Sequence, residues 1–164
     1  GGFDLTLRPT GAKGTYDGQL KVNNTRIQNA PALAQLLSAI SIVGLLDQMS
    51  ESGILFSEVL ANFRLSPKQL ILSQSSATGP SMGISMDGFY ALSSGAMDMQ
   101  GVLSPLFAVN GIGQIFTRRG EGLIGFNFNL NGTAEAPRVQ VNPLSILTPG
   151  MFRELFRRPP PELK

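Results

Sequence analysis

The chain has 164 residues, a length typical of one domain with a substantial buried core. Only 15% of the residues are charged and the formal net charge is +2, without a basic run interleaved with aromatic residues, so we expect no nucleic-acid partner. Histidine and cysteine are both absent, which excludes disulfides, thiolate chemistry, imidazole metal ligands and the most common general base. We therefore predict a protein that is not an enzyme and that uses no catalytic residues, metal or cofactor.

Alternation of apolar and polar residues predicts two strands at the start of the chain. Phe3, Leu5 and Leu7 alternate with polar side chains, and Leu20 and Val22 do the same in the second strand. The chain begins with GGFDLTL rather than with Met, a basic segment and an apolar segment. We therefore expect a fragment whose targeting or anchoring segment lies upstream.

The segment from Ala30 to Leu46 contains only three polar residues and predicts one apolar helix. Asn29 is the expected cap, and Pro31 suits the first turn. The segment is too short for a membrane span, which needs about 20 apolar residues. Its apolar side chains form two stripes on nearly opposite sides, one of Leu33, Leu36, Leu37 and Ile40 and one of Ala39, Ile42, Leu45, Leu46 and Met49. We expect burial on both sides, either as a core helix laid on a sheet or as a plug inside a trough of strands.

Two hairpins are predicted after this helix. The first begins with a strand from Ile54 to Leu65, in which the parity of the apolar residues changes and predicts a bulge near Ser57 and Glu58. Its turn is SPKQ at residues 66–69, where proline presets the backbone angle. The second hairpin pairs residues 80–90 with residues 95–102, and both hairpins add antiparallel strands to the same predicted sheet.

The last third of the chain is predicted to contain two strands between two helices. A short helix is expected from Pro105 to Phe116, and the clearest alternation in the chain predicts two strands within 121–144. A C-terminal helix at 151–158 precedes a disordered Pro-rich tail at 159–164. The predicted fold class is α+β with β dominant: a single domain over 1–158 with a curved antiparallel sheet or open barrel-like groove of about eight strands, an inserted apolar helix, a short second helix and a C-terminal helix.

The sequence contains no complete catalytic or nucleotide-binding motif. GIGQIF at residues 111–116 lacks the third glycine and the later acidic residue of a dinucleotide fingerprint. Asp47 and Glu51 are four residues apart and could act as paired carboxylates, but we interpret them as a solvated helix end. The sequence therefore favours a binding or structural function over catalysis.

Three longer stretches carry a resemblance to a known family. They are GQLKVNNTRIQNAPALAQLLSAISIVGLLDQMSESGILFSEVLANFRL from Gly18, GPSMGISMDGFYALSSGAMDMQGVLSP from Gly79 and NPLSILTPGMFRELF from Asn142. Together they resemble the C-terminal region of bacterial AsmA-like proteins, and the likeness spans about Gly18 to Phe156. None of these stretches is a catalytic signature, so the resemblance implies architecture more firmly than activity.

The resemblance implies a periplasmic protein anchored to the inner membrane by an N-terminal segment. Its long β-groove would carry phospholipids across the envelope toward the outer membrane, for outer-membrane lipid homeostasis. The implied partners are phospholipid, the upstream groove of the same protein and an envelope membrane protein. Within that frame, this chain would be the C-terminal end of the groove.

Strands with one apolar and one polar face, bent around apolar helices, can form a trough for acyl chains. Methionines adapt to variable shapes and would suit its lining, although the same methionines could equally be ordinary core. The candidate groove-lining residues are Leu36, Ile40, Ile42, Phe63, Met86, Met97, Met99, Phe126, Phe128 and Leu130. The alternative is a structural or docking module that caps the groove and binds an envelope partner, with an interior filled by Leu33, Ile40, Ile42 and Leu45.

The predicted C-terminal helix presents apolar residues on one face with arginines beside them. The candidate residues for contact with a membrane or a partner are Phe152, Arg153, Phe156, Arg157 and Arg158. A few arginines near an anionic lipid surface contribute about 1 kcal/mol each, which is enough to adjust docking but not to anchor a domain. The alternative is a helix packed on its own domain with its arginines in water.

Overall fold

The computed structural model of the chain describes residues 1–41, 43–105, 125–142 and 161. Eight strands form one antiparallel sheet in which each strand pairs with its neighbours in sequence. Among the described residues β1 does not pair with β8, so the sheet is open and the predicted β-dominant fold with a curved or groove-like sheet is confirmed. The elements are β1 (Gly2–Pro9), β2 (Tyr16–Ile27), α1 (Pro31–Ala39), α2 (Val43–Glu51), β3 (Ile54–Leu65), β4 (Gln69–Thr78), β5 (Met82–Ala91), β6 (Ala96–Pro105), β7 (Phe126–Thr133) and β8 (Pro137–Val141).

One face of the sheet carries apolar side chains from β1 to β8. Residues opposite one another on neighbouring antiparallel strands point to the same face. At one end of the sheet Leu5 lies opposite Leu20, and at the other Met99 lies opposite Leu130, which in turn lies opposite Val139. The period-two alternation of the sequence therefore becomes a single apolar surface that must be covered by something other than water.

The predicted single helix is wrong, because the segment forms two nine-residue helices, α1 and α2. The chain leaves the right-handed helical conformation at Ser41, whose φ is 58°. The Ser41 amide donates to the carbonyl of Ser38 at 3.0 Å, a tight bond that closes the end of α1. Asn29 does not cap α1 either, since the cap position is Ala30 and no side chain bonds there.

The break at Ser41 explains the two apolar stripes of the sequence. The first stripe belongs to α1, which buries Leu36 and Leu37, and the second contributes Met49 of α2 to the same core. Ala39, which a continuous helix would bury on its second side, is exposed. Two amphipathic helices, each buried on one side, thus replace the expected helix buried on two sides.

The helix pair covers the apolar face from the start of β3 to β8. Helix α1 packs on β8 and α2 packs on β3, so the pair extends across the interior between the third and the eighth strand. The core beneath them consists of Leu36, Leu37, Met49, Ile54, Phe56, Ala77, Met82, Met99, Leu103, Phe128 and Leu130. Within this core Leu37, Ile54 and Leu103 are completely buried.

The expected bulge near Ser57 and Glu58 takes a different form. The pairing of β2 with β3 keeps one register through this level, and the residue opposite Ser57 is Asn24, with a φ of 51°. The unusual backbone angle is at Asn24 of β2, and the parity of the apolar residues changes without an extra residue in either strand. The register shifts lie instead around Ser73 of β4, on both of its edges.

The turn at residues 66–69 is confirmed, with the Ser66 amide donating to the Gln69 carbonyl at 2.9 Å. Pro105, predicted to open a short helix, is instead the last residue of β6 and pairs with Met82. The remainder of that helix, the helix at 151–158 and all of the tail except Pro161 lie outside the described residues.

Two glycines of the apolar face are each covered by a phenylalanine on the adjacent strand. Phe63 lies opposite Gly18, and Phe128 lies opposite Gly101. A Cβ at Gly18 would meet only the far end of the Phe63 ring, whereas a Cβ at Gly101 would meet the backbone carbonyl of Ser85 as well as the Phe128 ring. The Phe63 ring can rotate to make room for a Cβ at Gly18. The Ser85 carbonyl belongs to a paired strand and cannot move without shifting the sheet.

We therefore predict that Gly101→Ala lowers the free energy of unfolding by about 1–3 kcal/mol, and by more than Gly18→Ala does. Urea unfolding of both variants and the parent measures the difference. Equal losses at the two positions would show that the close approach at Gly101 does not limit packing.

Truncation of the most buried residue of α1 tests whether the helix pair is an essential cover. Leu37→Ala removes a completely buried side chain, so we expect a loss of about 2–5 kcal/mol in the free energy of unfolding. Ser38→Ala, at the neighbouring exposed position, is the matched control and should change it by less than about 0.5 kcal/mol. If Leu37→Ala behaves like the control, α1 is peripheral to the core.

Candidate apolar binding face

The helix pair leaves part of the apolar sheet face uncovered. On β1, β2 and β3 the side chains that point to the core face include six that belong neither to the core nor to the residues packed against it. We call this surface the open face, and it consists of Phe3, Leu5, Leu7, Leu20, Val22 and Phe63. Its continuity with the core is seen at Val22, which lies opposite Val59, a residue that packs against the core.

The edge strand β1 is the most exposed part of the open face. Phe3 is 76% exposed, Leu5 47% and Leu7 45%, although all three alternate with polar residues in the manner of buried positions. Scattered apolar side chains are common on protein surfaces, but contiguous apolar patches usually mark binding sites. Here the three side chains stand side by side on one strand, and they extend the row that Leu20 and Val22 begin.

The opposite face of the same strands is mostly polar, although it also carries the exposed Leu60, and it holds two ion pairs. Arg64 of β3 holds Asp17 of β2 through two bonds, Nε to Oδ1 at 2.7 Å and Nη2 to Oδ2 at 3.0 Å. Lys21 of β2 holds Glu58 of β3 at 2.8 Å. A slip of one residue between β2 and β3 would separate both pairs and turn the open face toward water, so these charges favour the observed register.

The Arg64 side chain lowers the pKa of Asp17 below its ordinary value, mainly through the hydrogen bonds that it donates to the carboxylate and also through its charge. Desolvation acts in the opposite direction but does not prevail. The same hydrogen bonds raise the pKa of Arg64. The bidentate geometry is the strongest form of such a pair and gives it directional specificity.

Most of the predicted groove-lining residues lie together under the helices. Leu36, Met99, Phe128 and Leu130 are buried in the core. The residues packed against that core include Ile40, Met86, Met97 and Phe126. Phe63 alone lies on the open face, while Ile42, Phe152, Arg153, Phe156, Arg157 and Arg158 lie outside the described residues.

Alternation in the sequence predicts the strand containing Phe3, Leu5 and Leu7 but does not assign it to a site. A signal for the site is the size of these three apolar side chains, all on one face of one strand. Exposed edge strands are usually short or carry charges, proline or a bulge. β1 carries Asp4, Arg8 and Pro9, yet it is eight residues long and presents three large apolar side chains on one face.

None of the groups of acidic side chains in the described ranges has the composition of a metal site, and no described helix is long and apolar enough to cross a membrane. Comparison of the chain with protein-family models, with curated proteins and with solved structures finds no match in any of the three. The functional assignment therefore depends on the geometry of the open face.

The ion pair on the polar face generates a pH prediction. Because the folded-state pKa of Asp17 is lowered, its contribution to stability is present above the pKa of the unfolded chain, about 4, and is lost as the pH falls through the lower folded value. The difference in free energy of unfolding between the parent and Asp17→Asn should therefore be constant near neutrality and shrink below about pH 4. Urea unfolding across this range measures it, and a difference that grows on acidification would contradict the assignment.

Proposed function

We propose that the chain binds phospholipid acyl chains on the open face, as the C-terminal domain of an AsmA-like envelope lipid-transfer protein. The observation that supports this proposal is the exposure of Phe3, Leu5 and Leu7 in a row continuous with the core face of the sheet. A long, narrow, one-sided apolar surface fits an extended hydrocarbon chain. The six side chains that form it are all apolar and have no polar group to orient a compact polar ligand.

The hydrophobic effect supplies the driving force for such binding. Burying a large apolar side chain completely stabilises by about 1.5–3 kcal/mol, and the three side chains of β1 are roughly half or more exposed. An acyl chain lying along β1 and β2 would remove much of that surface from water without any change in the sheet. The polar face behind it, with the Asp17 and Arg64 pair, would remain solvated.

The wider assignment follows from the resemblance of residues 18–156 to AsmA-like C-terminal regions. In this proposal an N-terminal segment outside the chain anchors the protein to the inner membrane, and the chain lies in the periplasm at the end of a longer groove. The protein would guide phospholipids for outer-membrane lipid homeostasis. An envelope membrane protein would be the partner at that end.

A second candidate function is a structural or docking module that caps the groove without carrying lipid. The observation that favours it is the core beneath α1 and α2, where Leu37, Ile54 and Leu103 are completely buried. The two functions need not share a surface, because the filled part lies under the helices and the open face lies on β1–β3. Bound lipid distinguishes between them.

The test uses substitutions on opposite faces of one strand. Leu5→Gln with Leu7→Gln makes the open face polar at exposed positions, so the fold should be retained while lipid binding is lost. Thr6→Gln, on the polar face of the same strand, is the control and should bind lipid like the parent. Native mass spectrometry and lipid extraction of the purified proteins would show phospholipid with the parent and the control but not with the double variant.

Two results would contradict the proposal. A parent chain that carries no phospholipid, and that takes up none from vesicles, would leave the structural module. Lipid retained by a folded Leu5→Gln, Leu7→Gln variant would move the binding site away from the open face.

A further inference from the structure

The outer edge of β1 is available for pairing with another strand. All eight residues of β1 are exposed, and among the described residues β1 pairs only with β2. The amide and carbonyl groups along its outer side form a template for an added strand. The longer groove of the proposed function would join the chain at this end, so a second copy and an upstream strand are alternative occupants of the edge.

Charges on the polar face run in two rows that alternate in sign and end on β1. In one row Asp4 lies opposite Lys21, which is paired with Glu58. In the other, Arg8 lies opposite Asp17, which is paired with Arg64. One row thus ends at the edge in a negative charge and the other in a positive charge, four residues apart on the same strand.

We propose that β1 pairs with β1 of a second copy of this chain, antiparallel and with Thr6 on the two-fold axis. In this register Asp4 lies opposite Arg8 of the partner subunit, and Arg8 lies opposite Asp4 of the partner subunit. Each row then continues across the axis into the complementary row of the other copy, as an unbroken alternation of six charges. The two edges are complementary because β1 carries both the negative end of one row, Asp4, and the positive end of the other, Arg8. A two-fold symmetric contact requires such a self-complementary surface.

The same register also joins the open faces of the two copies. The two-fold axis is perpendicular to the sheet, so the apolar side chains of both copies lie on the same side of the joined sheet. Leu5 lies opposite Leu7 of the partner subunit, and the pairing is reciprocal. The joined sheet has sixteen strands, twice the eight of one chain, with the two open faces side by side at its centre. Each copy contributes only one strand to the contact, so the interface is small. We therefore expect a weak dimer whose population rises with protein concentration.

Charge reversal on the edge provides the test. Arg8→Asp leaves two negative charges on β1 and Asp4→Arg leaves two positive ones, so each variant alone should dissociate at least roughly tenfold more readily than the parent. An equimolar mixture of the two variants restores both opposite-charge pairs and should form a heterodimer. Arg138→Asp, the same substitution as the first but on the exposed surface of β8, is the control and should dimerise like the parent.

Sedimentation velocity and native mass spectrometry over a concentration series measure these states. Raising the salt from about 50 mM to about 500 mM should weaken the parent dimer by screening the exposed pairs. A parent chain that stays monomeric at every concentration overturns the proposal and leaves the edge to a different strand. Variants that dimerise like the parent, or a mixture that gains no heterodimer, also overturn it.

A disulfide test fixes the register, because the chain has no cysteine of its own. With Thr6 on the axis, the two Cα atoms of directly opposite residues are about 4.5–5.5 Å apart, which suits a disulfide. Thr6→Cys should therefore form a covalent dimer under mild oxidation. Gln19→Cys, one strand inward on the same face, would be about 14 Å from its counterpart and should not. Equal cross-linking of the two variants would contradict the register.

Discussion

The structure depends on one constraint, which is that a single face of the sheet is apolar along all eight strands. A sheet of this kind must cover that face or leave it in water at a considerable free-energy cost. The chain covers it with residues inserted between β2 and β3, and this insertion reaches across to β8. It covers the face from the start of β3 to β8 and leaves β1, most of β2 and the end of β3 open. The division into a filled core and an open face therefore follows from the placement of one insertion.

The helix break at Ser41 is the means by which the insertion covers so wide an area. One continuous helix presents a narrow apolar stripe, whereas α1 and α2 each turn a stripe toward the core and together connect β8 with β3. The positive φ of Ser41 costs backbone energy, which the burial of Leu36, Leu37 and Met49 offsets. The filled end is therefore a packed core, and the open face remains exposed beyond the helices. The proposed acyl chain would lie on this face, and the proposed added strand would pair at the outer edge of β1.

Sequence periodicity predicted the sheet well because period-two alternation reports directly which side chains share a face. The strand containing Leu20, the hairpin turn at 66–69 and the pairing of the later strands all follow from local residues. The break at Ser41 does not, since Ser, Ile and Val around it also fit a helix and tertiary packing selects the left-handed conformation. Alternation of apolar and polar residues also does not indicate which part of the apolar face another element covers. For that reason Met99 and Phe128, predicted to line a groove, lie in the core, whereas Leu5 and Leu7, given no functional role, form its open continuation.

The central claim is that one apolar face is closed at the helix-covered end and open to acyl chains at the β1 end. Thiol labelling of single cysteines tests it most directly, because the chain contains no cysteine. In the lipid-free protein Leu5→Cys should react rapidly and Leu130→Cys slowly, although both point to the same face. Added phospholipid should protect position 5 and leave Gln19→Cys, on the polar face, unchanged. A cysteine at position 5 that reacts equally fast with and without phospholipid, in a protein that remains folded, would contradict the account.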